Sequence, residues 1–423
     1  MLVGGNESYC HSTVSDEYHY MRSELEDSLE SPVEFYKDSE HFPIKNNCLY
    51  LANCAIGPLY QPSLEKMQNF LTMQSESGIQ VADHYGGILS SFREKVAHLL
   101  RTEADNVAYV SNTATGINIL ANGYPFAKGD QVLSYVHEFP SNHYPWLLQK
   151  NRGVELILLP DVRNADEEAH PQPSHWSFED LKNNTTERTK VIAISHVQFA
   201  SGYAADLKKL GDFCRDRKID LVVDAAQSLG VLPVYPEDYG ISAIIASSWK
   251  WLLSSRGSGI FYTSPDLRDK LKITCAGDAM MKHRLDYLNH TWDPFPSARK
   301  FEYSTLPWEH LISLETVLED IFIPYGMEAI SKEVFRLQDL FIQHLDETII
   351  RPILFPPINR SGILSVESDA DPNTVVSKLR EQNIVLTSQG GYLRIAPHFY
   401  MEDVDMIHAA RALSDTIKTV VPN

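Results

Sequence analysis

Between about residues 106 and 263, short apolar runs alternate with helical stretches. The runs are Val107–Val110, Gln131–Tyr135, Val154–Leu159, Val191–Ser195, Asp220–Val223, Ala243–Ala246 and Gly259–Tyr262. They are continuously apolar and do not alternate with polar residues, which predicts strands covered on both faces. Strands separated by helices predict a parallel or mostly parallel α/β sheet. In such sheets ligands gather at the carboxyl ends of the strands, so that is where chemistry is expected. Upstream, Leu64, Met67 and Leu71 recur at helical spacing, as do Leu89, Phe92, Val96 and Leu99.

Downstream the pattern changes. Helical periods cover Leu306–Ile323 and Met327–Leu345, short strands follow near Ile363–Val366 and Tyr392–Ile395, and a last helix is expected over Asp403–Thr419. This predicts a smaller α+β C-terminal domain, residues 306–423, beside a large sheet domain, residues 43–305. Asp161–Lys190 is a polar insertion holding Pro171 and Pro173, in which Ser177 and Asp180 form a helix-start signal. Residues 1–42 are acidic and poor in large apolar clusters. They read as an N-terminal arm with a short helix near Met21–Leu29.

Composition narrows the class. A chain of 423 residues, 43% hydrophobic and 22% charged, has apolar material for a large core shared by two cooperating domains. The formal net charge of −19 repels phosphate backbones and anionic lipid, so neither nucleic acid nor a membrane surface is an expected partner. The five cysteines, Cys10, Cys48, Cys54, Cys214 and Cys275, form no C-x-x-C pair. They read as reduced thiols of a cytoplasmic protein, with no metal site expected. No apolar run reaches the roughly 18 residues of a membrane helix. The basic-then-apolar pattern of a secretory leader is not seen at the start.

Five places at strand ends carry candidate chemistry. After Val107–Val110 comes Ser111-Asn112-Thr113-Ala114-Thr115-Gly116, where a helix start with free N–H groups and threonine hydroxyls suits a phosphate. Ordinary N-capping gives the same pattern. Asp224 ends an apolar strand, and a carboxylate there needs a cation or strong donors; a helix cap is the plain alternative. Lys250 lies in Ser247-Ser248-Trp249-Lys250-Trp251. Tryptophans on both sides desolvate the amine, lower its pKa and leave it nucleophilic, as Schiff-base chemistry requires. Phe139, in His137-Glu138-Phe139-Pro140, offers a ring that can stack on a planar heterocycle or fill a core. Arg394, in the apolar strand Tyr392–Ile395, suits bidentate recognition of a carboxylate or a structural ion pair. Two other patterns are set aside. Gly257-Ser258-Gly259 precedes a strand and lacks the third glycine of a dinucleotide loop. His137 and His143 fit no zinc spacing.

The ordered set Asp224-x-x-Gln227, Ser247-x-x-Lys250 and Gly257-x-Gly259 resembles the class V aminotransferase family, over about residues 49–404. The resemblance implies fold-type I architecture and the cofactor pyridoxal 5'-phosphate. It implies a Schiff base on Lys250, Asp224 on the pyridine nitrogen, Gln227 on the ring hydroxyl and Phe139 stacked on the ring. Thr113, Ala114, Thr115, Ser247 and Trp249 fall at phosphate-binding positions. The run Phe301–Thr305 looks like the segment that brings Thr305 to a neighbouring subunit's phosphate, which implies a homodimer with a shared active site. Arg394 matches the arginine that grips the α-carboxylate of an amino-acid substrate. The implied reaction passes through an external aldimine and a Cα carbanion.

The departures also carry information. Phe139 stands where cysteine desulfurases of the family carry histidine, and is similar to kynureninase and isopenicillin-N-epimerase-like members. Ile384 to Arg394 contains no cysteine, so desulfuration through a persulfide is not expected. Trp249 replaces a frequent histidine, and Ala114 lacks a hydroxyl used by some members. The expectation is a lyase-type cleavage in the side chain, with transamination or epimerisation as alternatives. Two rivals from other classes are a non-catalytic binding protein on the same fold and a nucleotide-dependent oxidoreductase. The joint presence of Lys250, Asp224 and Arg394 opposes the first, and the missing glycine fingerprint opposes the second.

Overall fold

Seven strands build the central sheet: β1 (Val107–Val110), β2 (Gln131–Tyr135), β3 (Glu155–Leu159), β4 (Thr189–Ser195), β5 (Asp220–Asp224), β6 (Ala243–Ser247) and β7 (Gly259–Thr263). The computed structural model describes residues 33–163 and 172–421. The short helix expected near Met21–Leu29 lies outside these residues. The spatial order is β1-β7-β6-β5-β4-β2-β3. All neighbours run parallel except β7, which is antiparallel to β1 and β6. Every residue of the inner strands β2, β5 and β6 is buried, as continuous apolar runs require, and so is every residue of the edge strand β1. At the edge, β3 keeps Glu155 exposed.

Helices cover the sheet. Val110, Ile117, Leu120, Val132, Trp146, Val191, Val222, Ile245 and Phe261 belong to one buried cluster between strands and helices. Helix α1 (Gln61–Ser77) precedes α2 (Ile88–Leu100), and α3 (Thr113–Gly123) follows β1 directly. Asn112 caps α3 by accepting the Thr115 N–H at 2.9 Å. Gly116 lets α3 lie on β6, since a Cβ there would sit 2.8 Å from the Ile245 side chain. Helix α4 (Leu207–Arg217) is capped by Asp206. Ser177 caps the expected short helix, accepting the Asp180 N–H at 3.0 Å.

The chain leaves β1 at one edge, crosses to β2 and β3 at the other, and returns through β4, β5, β6 and β7. The carboxyl ends of β1, β2, β4, β5 and β6 therefore share one edge of the sheet.

Beyond residue 306 lie α5 (Trp308–Val317) and α6 (Met327–Ile342), then β8 (Ile350–Pro352), β9 (Leu364–Ser368), α7 (Pro372–Glu381), β10 (Thr387–Gln389), β11 (Tyr392–Ile395) and α8 (Asp403–Val420). The strands form an antiparallel sheet in the order β10-β11-β9-β8. A two-residue parallel ladder joins Leu49–Tyr50 to Ile384–Val385. Tyr36–Asn423 forms one compact unit.

Two helical expectations change. The period over Leu306–Ile323 is not one uniform helix: α5 passes into a π-type turn, Leu318–Phe322, and a short helix ends at Gly326. Pro324 has no N–H to return to the carbonyl four residues back, and the turn before it widens. On α1, Leu71 is 49% exposed, and the buried residues are Ser63 and Phe70. Ser63 Oγ donates to the Ser313 carbonyl at 3.0 Å, which turns that face of α1 toward α5.

Candidate active site

A cavity of about 720 Å³ opens at the shared carboxyl edge of the sheet. Of the residues singled out from the sequence, Thr113, Ala114, Phe139, Asp224, Gln227, Ser247, Trp249, Lys250 and Arg394 line it. Two do not. Thr115 turns its hydroxyl onto Asn112 and serves the helix cap. Thr305 is exposed on the surface of this chain. His137 lies behind Phe139, edge-on to Tyr135, with its pKa lowered by burial.

Lys250 follows β6 on a loop held from several sides. The Gly57 N–H donates to the Trp249 carbonyl at 2.8 Å. A Cβ at Gly57 would come within 2.1 Å of the Lys250 carbonyl oxygen, so only glycine lets that segment approach. Trp251 is fully buried. Its Nε1 donates to Gln227 Oε1 at 2.9 Å, and its carbonyl oxygen lies 3.0 Å from His398 Nε2. The flanking tryptophans thus differ: Trp251 is an anchor and Trp249 faces the cavity. Burial lowers the Lys250 pKa, Asp224 and Cys54 oppose the shift, and Arg394 adds to it. The result favours an uncharged, nucleophilic amine.

Asp224 ends β5 almost fully buried. Its carboxylate accepts the Ala226 N–H at 2.9 Å. Burial pushes its pKa up to about 6, against the pull of that N–H and of Lys250. A buried carboxylate facing a cavity is a place for a cationic group. Gln227 donates through Nε2 to the Cys54 carbonyl at 2.8 Å while accepting from Trp251. An amide nitrogen carries two N–H bonds, so one further donor remains beyond that contact.

At the start of α3 the N–H groups of Thr113 and Ala114 have no intrahelical acceptor, as at any helix start. With the Ser247 hydroxyl nearby on the cavity wall, they form a neutral cradle for an anion, aided by the helix dipole. Phe139 is 41% exposed, with its ring edge-on to Phe199 at 5.5 Å and 5.4 Å from Lys250 Nζ. An aromatic face open to a cavity, a buried carboxylate and an anion cradle together fit a flat heterocycle with a basic nitrogen and a phosphate. Pyridoxal phosphate has those parts.

Arg394 comes from the small sheet. Its Nε donates to Thr387 Oγ1 at 3.2 Å and its Nη1 to the Phe199 carbonyl at 2.6 Å. A guanidinium has five N–H donors, so these two contacts fix the fork and leave donors for a ligand in the cavity it lines.

Several lining residues were not found from sequence. Ser195 ends β4 and was discoverable by the same strand-end rule as Asp224. Phe199, Gln389 and Cys54 lie on segments with no local signal. Cys54 Sγ is 3.7 Å from Thr387 Oγ1, so a thiol reaches the site from a part of the chain far from the expected cysteine position.

Comparison with known proteins bears on the family and the fold. Residues 49–412 match the family described as Aminotransferase class-V. A probable cysteine desulfurase of Methanothermobacter thermautotrophicus is 27% identical over 331 residues, 74% of this chain and 79% of that protein. Among solved structures, the cystine C–S lyase C-DES in complex with its product cysteine persulfide superposes with a TM-score of 0.79 at 19% identity, covering 88% of this chain and 99% of that one. A variant of C-DES with glycine covalently linked to its pyridoxal-phosphate cofactor gives 0.80 at 19% identity, over 89% and 99%. At that identity the structural likeness speaks for the fold, which is fold-type I.

Proposed function

The chain belongs to the class V aminotransferase family and is a pyridoxal-phosphate-dependent enzyme, and from that premise we propose that it cleaves a side-chain bond of an amino acid held between Lys250 and Arg394. The supporting observation is that Lys250, Asp224, Phe139 and Arg394 all line one cavity. When bound, the cofactor supplies an electron sink for the pair left at Cα as a bond there breaks.

The protein's own residues do the rest. Lys250 would hold the cofactor and move a proton at the substrate Cα, for which a depressed pKa suits it. Asp224 would pair with the ring nitrogen and keep it protonated. Gln227 would donate to the ring hydroxyl, Phe139 would cover a ring face, and Thr113, Ala114, Ser247 and Trp249 would hold the phosphate. Arg394 would bind and orient the substrate carboxylate. Thr305 of one copy reaches the phosphate of a second, in a homodimer with a shared site. The large and small domains divide near residue 305.

Side-chain cleavage is favoured by one sequence feature: Phe139 stands where desulfurases carry histidine and is similar to kynureninase-like members. The lack of a cysteine between Ile384 and Arg394 weighs only against desulfuration through a persulfide. No helix of the described residues is long and apolar enough to cross a membrane. Free Cys48, Cys54, Cys214 and Cys275 support a cytoplasmic location.

The test is a panel of amino acids added to cofactor-loaded protein, read by change in the visible spectrum and by product mass. A cleaved product supports the proposal. A keto acid of unchanged carbon skeleton, or an epimer of unchanged mass, would replace it with transamination or epimerisation.

A further inference from the structure

One carboxylate beside the site has no task in that scheme. Glu138 directly precedes Phe139. Its Oε1 accepts the Ser195 N–H at 2.8 Å, and its Oε2 is bonded by Ser195 Oγ and, at 3.1 Å, by Asn142 Nδ2. Ser195 stands opposite Asp224 in the β4–β5 register, and both line the cavity. Glu138 is therefore one hydrogen bond removed from the cavity wall, on the Asp224 side.

We propose that Glu138 is a second anion of the cofactor site, a positioning residue whose negative field acts on the groups at Asp224 and Lys250 without touching the cofactor. Three donors converge on its two oxygens, which is how proteins hold an ionised carboxylate. In the cofactor-free protein, burial pushes it up to about 7, and Asp224 adds to that rise. Two neighbouring carboxylates that resist ionisation are favoured in their charged form by a cationic group nearby.

Among the described residues, no lysine or arginine lines the space behind Glu138; a cation on that side, Arg163, acts on His175. Behind it lie Tyr135, His137 and His175. Tyr135 donates its hydroxyl to Asp161 and is held neutral. Burial lowers the pKa of both His137 and His175, which disfavours a positive charge on either ring. The cationic side chains on the cavity wall are Lys250 and Arg394, so the field of Glu138 is felt there.

This inference rests on the reading of Lys250 as the cofactor lysine. The experiment loads the protein with pyridoxal phosphate and follows its visible absorbance against pH. If the wild-type protein gives no imine band, the reading of Lys250 fails whatever Glu138 does. Given that band, Glu138→Gln keeps the shape and removes the charge, so the imine is harder to protonate. Its titration midpoint is expected to fall by about one pH unit. Ser195→Ala leaves the charge and is expected to move the midpoint less than half as far. An unchanged midpoint in Glu138→Gln, or an equal shift in Ser195→Ala, overturns the proposal in favour of a purely structural role. Should Glu138→Gln not fold, Glu138→Asp carries the test. A midpoint within a few tenths of a unit of wild type sustains the role of the charge, and a fall of a full unit refutes it.

Discussion

The two walls of the cavity are built differently. The wall holding Asp224, Ser247, Lys250 and the Thr113 cradle consists of strand ends and the segments that leave them. Its positions are set by the sheet register and by close approaches such as Gly57 on the Lys250 carbonyl. The opposite wall, with Arg394, Gln389, Phe199 and Cys54, is assembled from a small antiparallel sheet and from loops. Its parts are tied to one another by side chains, through Arg394 to Thr387 and the Phe199 carbonyl and through Cys54 to Thr387. In the proposed reaction the first wall would hold the groups that act on bonds, and the second would recognise what is brought to them. Substitutions on the first wall should therefore lower kcat, and those on the second should raise KM.

The largest separation is expected from Lys250→Ala. Loss of the nucleophile and proton carrier should reduce kcat by a factor on the order of 10³ or more, with folding intact by circular dichroism. A residual rate within tenfold of wild type would break the distinction at its strongest point.

Asp224→Asn sharpens it through stability. The folded pKa of about 6 lies above the ordinary carboxylate value of 3.8. A raised carboxyl pKa penalises the folded state once ionised: the penalty is absent below the ordinary value, grows between the two, and is complete above about 6. Asparagine removes it. Denaturant unfolding of cofactor-free protein should show Asp224→Asn gaining on wild type by about 3 kcal/mol between acid and pH 8. A pH-independent difference would contradict the burial argument.

On the recognition wall, Arg394→Ala should raise KM for the amino acid by roughly 10- to 100-fold, as loss of a charged hydrogen-bonded contact does. The effect on kcat should be smaller. A loss confined to kcat would move Arg394 to the other wall. The smallest effect is expected from Cys54→Ala, which removes one weak contact to Thr387: a KM change below about threefold with kcat preserved. Abolished turnover would make the thiol a reactant and revive sulfur-transfer chemistry.

The same contrast governs what could be read from the chain. Continuous apolar runs located the seven strands, and the rule that ligands sit at strand ends led to Asp224 and Lys250. That rule also covered Ser195, a serine with no unusual neighbours to draw notice. On the other wall only Arg394 stood out, because a guanidinium in an apolar strand needs an anion. Phe199 and Gln389 reach the cavity through tertiary contacts that leave no periodic trace. The ladder between Leu49–Tyr50 and Ile384–Val385 is two residues long and joins segments more than three hundred residues apart, so neither half shows a strand pattern. Leu71 shows the limit of periodicity itself: apolar spacing marks a helix, but the partner helix chooses the face.

The central claim is that Lys250 carries the cofactor. The direct test is borohydride reduction of protein saturated with pyridoxal phosphate, followed by peptide mass mapping. The account predicts the reduced cofactor's mass on the peptide containing Lys250, and its loss in Lys250→Ala. Cofactor mass on another lysine, or none on saturated wild-type protein, would contradict it.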